Sequence, residues 1–256
     1  MVRSVFVTVI TFAYIFIVGT PFLIYTLLTG NTDAVYRVGV LGAKMAVWLA
    51  GVRLEVQGRE KIPTGRAVVF MPNHQSNCDP PAVISILPPV LVLGKKEFFR
   101  VPILGRAMLL RGFISVDRKN RERAIEAVEK AVTALKAGYP FLAYPEGTRS
   151  PDGRLQAFKK GVFVMAIKAG VPIVPISVSG SNKIMPKGDL RIRPGTVRIT
   201  VHDPVPTEGC TLDERAKVMD SVRRAILSGL TKDEWPLEAL PESSRETGSP
   251  RAEDLV

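Results

Sequence analysis

The chain has 256 residues, 46% hydrophobic and 23% charged, which suits one substantial domain with an accessory segment and excludes a disordered chain. Its 35 Lys and Arg outnumber 24 Asp and Glu, giving a net charge of +11 and an isoelectric point near 9.9, so its partners are anionic: phosphorylated metabolites, acidic lipid headgroups or nucleic acid. Two cysteines, Cys78 and Cys210, neither in a CxxC pair, exclude a disulfide scaffold and a Cys-rich zinc site.

From Ser4 to Thr32 no residue is charged, and Val, Ile, Phe, Leu and Tyr dominate. About twenty such residues in a helix span a bilayer. The run exceeds the apolar core of a cleavable signal peptide and no small-x-small site follows it, so a retained membrane anchor is expected. Gly19, Thr20 and Pro21 interrupt it, and a proline inside a helix kinks or ends it. Tyr36 to Val52 is again largely apolar, broken by Arg37 and Lys44. Two arrangements fit: one kinked spanning helix, or two helices embedded from one side with Arg37 and Lys44 reaching back to the headgroups. The sequence leans to the second. Residues 1–52 are expected to form the anchor.

Beyond residue 53, short apolar runs alternate with amphipathic segments. Strands are expected at Leu54–Gln57, Ala67–Pro72, Val90–Leu93, Phe113–Val116, Phe141–Tyr144, Ile173–Val178 and Val197–His202. Helices are expected at Asp79–Leu87, Arg121–Ala137, Lys160–Ala169 and Leu212–Leu230. In the second, Ala124, Ile125, Val128, Ala131, Val132 and Leu135 recur at helical spacing and Gly138 supplies the stop. Such alternation implies an α/β fold over residues 53–230, a mostly parallel sheet flanked by helices. Residues 231–256, with three prolines, three basic and seven acidic residues, read as a flexible acidic tail, which leaves the body more basic than the average.

The strongest chemical signal is Asn73-His74-Gln75-Ser76-Asn77-Cys78-Asp79-Pro80, one of only two histidine sites in the chain and placed directly after an apolar strand. Loops at the carboxyl ends of strands are where α/β sheets assemble their sites. Histidine titrates near neutrality and suits a general base, and a carboxylate on its far nitrogen fixes the tautomer. Asp79 is near enough to fold back on the ring. Asp79-Pro80 also has the form of a helix N-cap with proline at N1, and His74 the form of an ordinary loop histidine. A second segment, Tyr144-Pro145-Glu146-Gly147-Thr148-Arg149-Ser150, leaves another strand; it reads as a turn around Gly147, or as a phosphate site built on the Arg149 fork. Phe158-Lys159-Lys160-Gly161 brings two cations to a helix start, where backbone N–H groups favour anions. Gly112 to Arg118 puts a further arginine, Arg118, at a strand end.

Together these segments resemble the glycerolipid acyltransferases. His74-x-x-x-x-Asp79, Ile114 to Arg118, Pro145-Glu146-Gly147-Thr148-Arg149-Ser150 and Val171-Pro172-Ile173-Val174-Pro175 stand where that family carries its four ordered blocks, over roughly residues 54 to 205. Tyr144 stands where many members have phenylalanine. Members acting on 1-acyl-sn-glycerol-3-phosphate are the nearest match. The resemblance implies transfer of a fatty acyl group from acyl-CoA or acyl carrier protein to the sn-2 hydroxyl of lysophosphatidate, giving phosphatidate, at the cell membrane with the catalytic domain on the cytoplasmic side. It implies His74 as general base and Asp79 as its partner. It also implies Arg118, Glu146, Gly147, Thr148, Arg149, Lys159 and Lys160 around the glycerol phosphate. Glu146 would hold a glycerol hydroxyl or pin Arg149. No metal or redox cofactor is called for, and the basic body would face acidic lipids.

Other readings compete. Acceptors such as glycerol-3-phosphate or another lysophospholipid share the chemistry. Cys78 beside His74 would suit a covalent thiol mechanism. His202, before Asp203-Pro204, reads as structural. A non-enzymatic basic protein binding acidic lipids fits the charge; a nucleic-acid binder does not, since 7% aromatic residues, several in the anchor, give no stacking signature.

Overall fold

The computed structural model describes residues 1–117 and 120–237. The apolar run forms α1 (Val2–Ile17) and α2 (Gly19–Thr29), which continue through Val18 as one 28-residue rod, long and apolar enough to cross a membrane. Val18 keeps right-handed helical dihedrals, and its N–H reaches the Tyr14 carbonyl at 2.9 Å. Pro21 has no N–H for the Ile17 carbonyl, so Gly19 to Pro21 bend the rod without ending it. Gly30 ends it. Asn31 then opens α3 (Thr32–Leu49) by accepting the N–H groups of Asp33 and Ala34 at 3.1 and 3.3 Å.

α3 folds back against the rod. Tyr14 lies over Gly42, where a Cβ would stand 2.6 Å from the ring, so only glycine permits this approach. The hairpin also lies along the rest of the protein instead of projecting from it. Ser4 Oγ accepts the Ile192 N–H at 2.9 Å, Asp33 pairs with Arg111 at 3.4 Å, and the Tyr36 hydroxyl accepts the Val90 N–H at 3.1 Å. The outward face keeps Val5, Phe6, Val9, Phe12, Phe16 and Leu28 exposed.

Seven strands follow: β1 (Val52–Gln57), β2 (Val69–Pro72), β3 (Leu91–Lys95), β4 (Ile114–Val116), β5 (Phe141–Leu142), β6 (Ile173–Ser179) and β7 (Gly195–Val201). They form one sheet in the order β1-β7-β6-β2-β5-β3-β4, parallel except that β7 runs against β6. Val69 of β2 registers with Phe141 on one side and Ile173 on the other. The helices are α4 (Asp79–Ile84), α5 (Leu104–Leu110), α6 (Arg121–Lys136), α7 (Lys160–Ala169), α8 (Ser181–Ile184) and α9 (Arg215–Ser228). Each face of the sheet is covered. Val69, Met71, Phe141 and Ile173 pack against α6, α7 and α9; Phe70, Leu142, Ile176 and Ile199 pack against α3, α4 and α8. In α6 the buried stripe is Ala127, Ala131, Val132 and Leu135, and Ile125 falls outside it, 52% exposed.

The α/β architecture is the expected one, with two corrections to its limits. A boundary at residue 52 cuts through a packed layer, because Val47, Ala50 and Val52 are buried with Phe70, Ala82 and Val83. The flexible tail does not begin at residue 231: Thr231 to Trp235 form an ordered turn in which Glu234 is only 6% exposed. Of the expected tail, residues 238–256 lie outside the described residues.

Candidate active site

β2 is central, and its loop emerges at the carboxyl edge beside that of neighbouring β5. Asp79 is fully buried as the first residue of α4, with Cys78 at the N-cap, so the aspartate does not cap the helix as its sequence context allows. Its carboxylate turns back over the loop. Oδ2 accepts the backbone N–H groups of Gln75 and Ser76, both at 2.7 Å, and lies 2.8 Å from His74 Nδ1. An ionised carboxylate only accepts, so the Nδ1 carries the proton and Nε2 keeps its lone pair. The His74 side chain is 16% exposed, which leaves the ring an open edge.

The loop after β5 grips the histidine. Tyr144 stacks on the imidazole with centroids 4.2 Å apart and planes 30° off parallel. The His74 N–H donates to Glu146 Oε1 at 2.6 Å, and the His74 carbonyl accepts the Ser150 N–H at 2.7 Å. Glu146 Oε2 accepts the Gln156 N–H at 2.9 Å. Both oxygens of this buried side chain are therefore engaged by backbone amides, and burial pushes its carboxyl up to about 8. Among the described residues Glu146 makes no ion pair with Arg149, so that part of the expectation is not met; its oxygens hold the His74 and Gln156 backbones instead.

The remaining residues divide by position. Gly147 takes φ +71°, and a Cβ there would stand 3.2 Å from the Lys159 stem, so the turn carries Lys159 alongside it. The Lys159 N–H donates to the Pro145 carbonyl at 2.7 Å, which joins the start of α7 to the same loop. Thr148, Lys159 and Lys160 are exposed and Arg149 is half-buried. Among the described residues no carboxylate pairs with Arg149, Lys159 or Lys160, and no side chain caps the N-terminus of α7, so an unneutralised positive region flanks His74. Lys187, which sequence did not mark, joins it by donating to the Arg149 carbonyl at 3.1 Å. Arg118 lies outside the described residues; the strand before it, β4, is two places beyond β5.

An apolar cleft of about 220 Å³ separates the loop after β2 from the hairpin, lined by Asn77, Cys78 and Pro81 on one side and Val7, Phe12 and Val47 on the other. Burial and the neighbouring Asp79 charge push the Cys78 thiol up to about 12, which makes it a poor nucleophile. His202 is engaged elsewhere: its Nε2 lies 2.7 Å from Ser177 Oγ, whose proton goes to the Ile226 carbonyl at 2.6 Å. The ring thus donates to a fully buried serine, as a structural histidine does.

Residues 53–179 match a family model described as Acyltransferase. A 1-acyl-sn-glycerol-3-phosphate acyltransferase of Chlamydomonas reinhardtii is 35% identical over 180 residues, covering 70% of this chain and 53% of that protein. One from Limnanthes alba is 32% identical over 195 residues, covering 75% of this chain and 69% of that protein. The chain thus spans about half the length of the first relative and more than two thirds of the second. The crystal structure of the 1-acyl-sn-glycerophosphate acyltransferase PlsC from Thermotoga maritima superposes with a TM-score of 0.76 at 28% identity, over 89% of this chain and 94% of that one. Sequence and fold therefore agree, and this chain belongs to the 1-acyl-sn-glycerol-3-phosphate acyltransferase family.

Proposed function

We propose that the protein transfers a fatty acyl group from acyl-CoA or acyl carrier protein to the sn-2 hydroxyl of 1-acyl-sn-glycerol-3-phosphate, giving phosphatidate. The observation that carries this is the His74–Asp79 pair at 2.8 Å beside the positive region of Arg149, Lys159 and Lys160, which has no carboxylate partner among the described residues. His74 Nε2 takes the hydroxyl proton as the oxygen attacks the thioester carbon, and the buried Asp79 stabilises the imidazolium that forms. The tetrahedral intermediate collapses by breaking the carbon–sulfur bond, and the imidazolium returns its proton to the departing thiolate. A thioester is already activated, so these steps need no acyl-enzyme, metal or redox cofactor.

Arg149, Lys159, Lys160 and the N-terminus of α7 suit the acceptor's phosphate, with Gly147 and Thr148 shaping the approach. Arg118 belongs to the same reading on the strength of the family pattern alone. The apolar cleft suits a fatty chain. The hairpin, touching the domain at its start, its apex and its end, suits insertion into one leaflet of the cell membrane from the cytoplasmic side, where acidic lipids meet a basic body.

The test uses the full chain in mixed micelles with one radiolabelled acyl thioester and a panel of acceptors: lysophosphatidate, glycerol-3-phosphate and neutral lysophospholipids. Phosphatidate formed from lysophosphatidate, and lost in a folded His74→Ala variant, is the expected result. A preference for another acceptor replaces the substrate assignment. An absence of ester with every acceptor leaves a lipid-binding protein, and full activity in His74→Ala removes the base.

A further inference from the structure

Gln75, next to His74, is 1% exposed, and its two ends serve different purposes. Its backbone N–H is one of the donors to Asp79 Oδ2, at 2.7 Å. Its side-chain Nε2 donates to the Gly153 carbonyl at 2.8 Å and to Glu234 Oε1 at 3.0 Å, and its Oε1 accepts from Ser181 Oγ at 3.3 Å. Every polar atom of the amide is used. Glu234, 159 positions away in sequence, is the one charged group in this set.

The surroundings of Glu234 are all donors. Oε1 also accepts the Gly180 N–H at 2.7 Å; Oε2 accepts Ser179 Oγ at 2.6 Å, the Thr231 N–H at 3.1 Å and Thr231 Oγ1 at 2.9 Å. The turn that carries it is fastened on both sides. The Glu234 carbonyl accepts the Leu155 N–H at 2.9 Å, Arg154 donates to the Trp235 carbonyl at 2.8 Å, and Trp235 packs against the core below α6, α7 and α9. Two buried glutamates thus brace the loop after β2 from opposite ends: Glu146 on the His74 backbone and Glu234 on the Gln75 side chain.

We propose that Glu234 is a positioning residue for acyl transfer, holding Gln75 so that the Gln75 amide keeps Asp79 Oδ2 aimed at His74 Nδ1. This rests on the reading of His74 and Asp79 as the reacting pair. Without the carboxylate, Gln75 Nε2 and the Gly180 N–H lose an acceptor in a site closed to water. The glutamine rotates to recover one, its backbone follows, and the Asp79 oxygen loses a donor that fixes its direction. Small displacements of a reacting group by a distant change cost up to ~10²-fold in rate.

The experiment measures kcat and KM of the full chain in mixed micelles for Glu234→Ala, Glu234→Gln and Gln75→Ala, with thermal melts and ¹⁵N-histidine NMR. The chain has two histidines, so His202 serves as an internal reference. Glu234→Ala is expected to lower kcat roughly 10- to 100-fold with KM for both substrates within twofold, and to move the His74 imidazole signal while leaving that of His202 in place. Glu234→Gln keeps an acceptor for Gln75 and Gly180 and can donate to the two hydroxyls, leaving only the Thr231 N–H without its acceptor, so it recovers most of the loss of rate. Gln75→Ala reproduces the Glu234→Ala rate, and the double variant is no slower than either; this pair carries the test if Glu234→Ala alone folds poorly. Unchanged kcat in Glu234→Ala, a rate loss that only follows the folded fraction with the His74 signal unmoved, or equal impairment by alanine and glutamine overturns the proposal. His74→Ala in the same assay keeps the two readings apart. An active His74→Ala removes the base, whereas an inactive one beside a fully active Glu234→Ala removes only the positioning role.

Discussion

Replacing Asp79 by asparagine isolates its charge from its hydrogen bonds. All three donors converge on Oδ2, and the other oxygen, Oδ1, is buried with no partner among the described residues. Asparagine can set its single oxygen in the Oδ2 position and its NH₂ in the vacant one, so both loop amides and the His74 Nδ1 proton keep their acceptor. What is lost is the attraction between a carboxylate and the imidazolium formed in the transition state. Two unit charges about 4 Å apart at an effective dielectric near 20 attract by about 4 kcal/mol. At ~1.4 kcal/mol per decade that is close to a thousandfold in kcat. Asp79→Ala adds a structural loss, because it leaves two buried N–H groups without an acceptor at ~1–3 kcal/mol each. Initial rates with labelled thioester and thermal melts of both variants give the comparison. Asp79→Asn should melt near the wild type and turn over ~10²–10³-fold more slowly, whereas Asp79→Ala should also lose several degrees. Wild-type turnover in Asp79→Asn would refute the electrostatic argument, and equal melting losses in both variants would refute the placement of the asparagine oxygen.

Four further predictions follow from the geometry. Cys78→Ser should keep turnover within about threefold and trap no acyl intermediate under acid quench, since a thiol held near 12 is not an attacking group; a trapped thioester reverses this. Tyr144→Phe removes a buried hydroxyl that has no partner among the described residues while keeping the ring on His74, so it should retain activity and gain about 1 kcal/mol in denaturant unfolding; a loss of kcat instead gives the hydroxyl a chemical role. The native Glu146 carboxyl titrates near 8 and the unfolded one near 4.5, so its contribution is fully present below pH 4.5 and fades as pH rises to 8, by at most ~1.4 kcal/mol per pH unit. Glu146→Gln should lack that component, and stability curves that stay parallel from pH 5 to 8 would count against it. Deleting residues 2–30 should abolish vesicle co-sedimentation while the remaining domain stays folded by circular dichroism; deleting 2–51 should prevent folding, because α3 covers Phe70 and Val83, and a soluble, cooperatively melting product would contradict the packing.

The strands were legible because each carries a short apolar or alternating stretch built on Val, Ile, Leu or Phe, and all seven lie within a few residues of their expected positions. The reversal of β7 was not, since strand direction depends on connections and not on composition. α5 went unread for a local reason: Pro102 and Gly105 punctuate it, and seven residues are too few to display a helical period. Hydropathy could not separate α3 from a membrane helix, because lipid and a protein core select the same side chains. For the site, the His74–Asp79 spacing carried the pair, but the choice among roles for Glu146 turned on burial, which spacing does not encode. The Thr231-Lys232-Asp233-Glu234 turn did carry a signal, a threonine followed three residues later by glutamate, that the Pro- and Glu-rich composition of the C-terminus obscured.

The fusion of α3 to the sheet has a mechanical consequence. A tethered enzyme on a hinge would bob relative to the lipid surface, and its mouth would meet headgroups only intermittently. If the hairpin inserts as proposed, the side chains that fill the interior beneath β2 would also set its immersion depth, because Val47 and Ala50 are buried in the same cluster as Phe70 and Ala82. On that reading, volume changes at Val47 or Ala50 should tilt the body in the leaflet and alter which lipids reach His74.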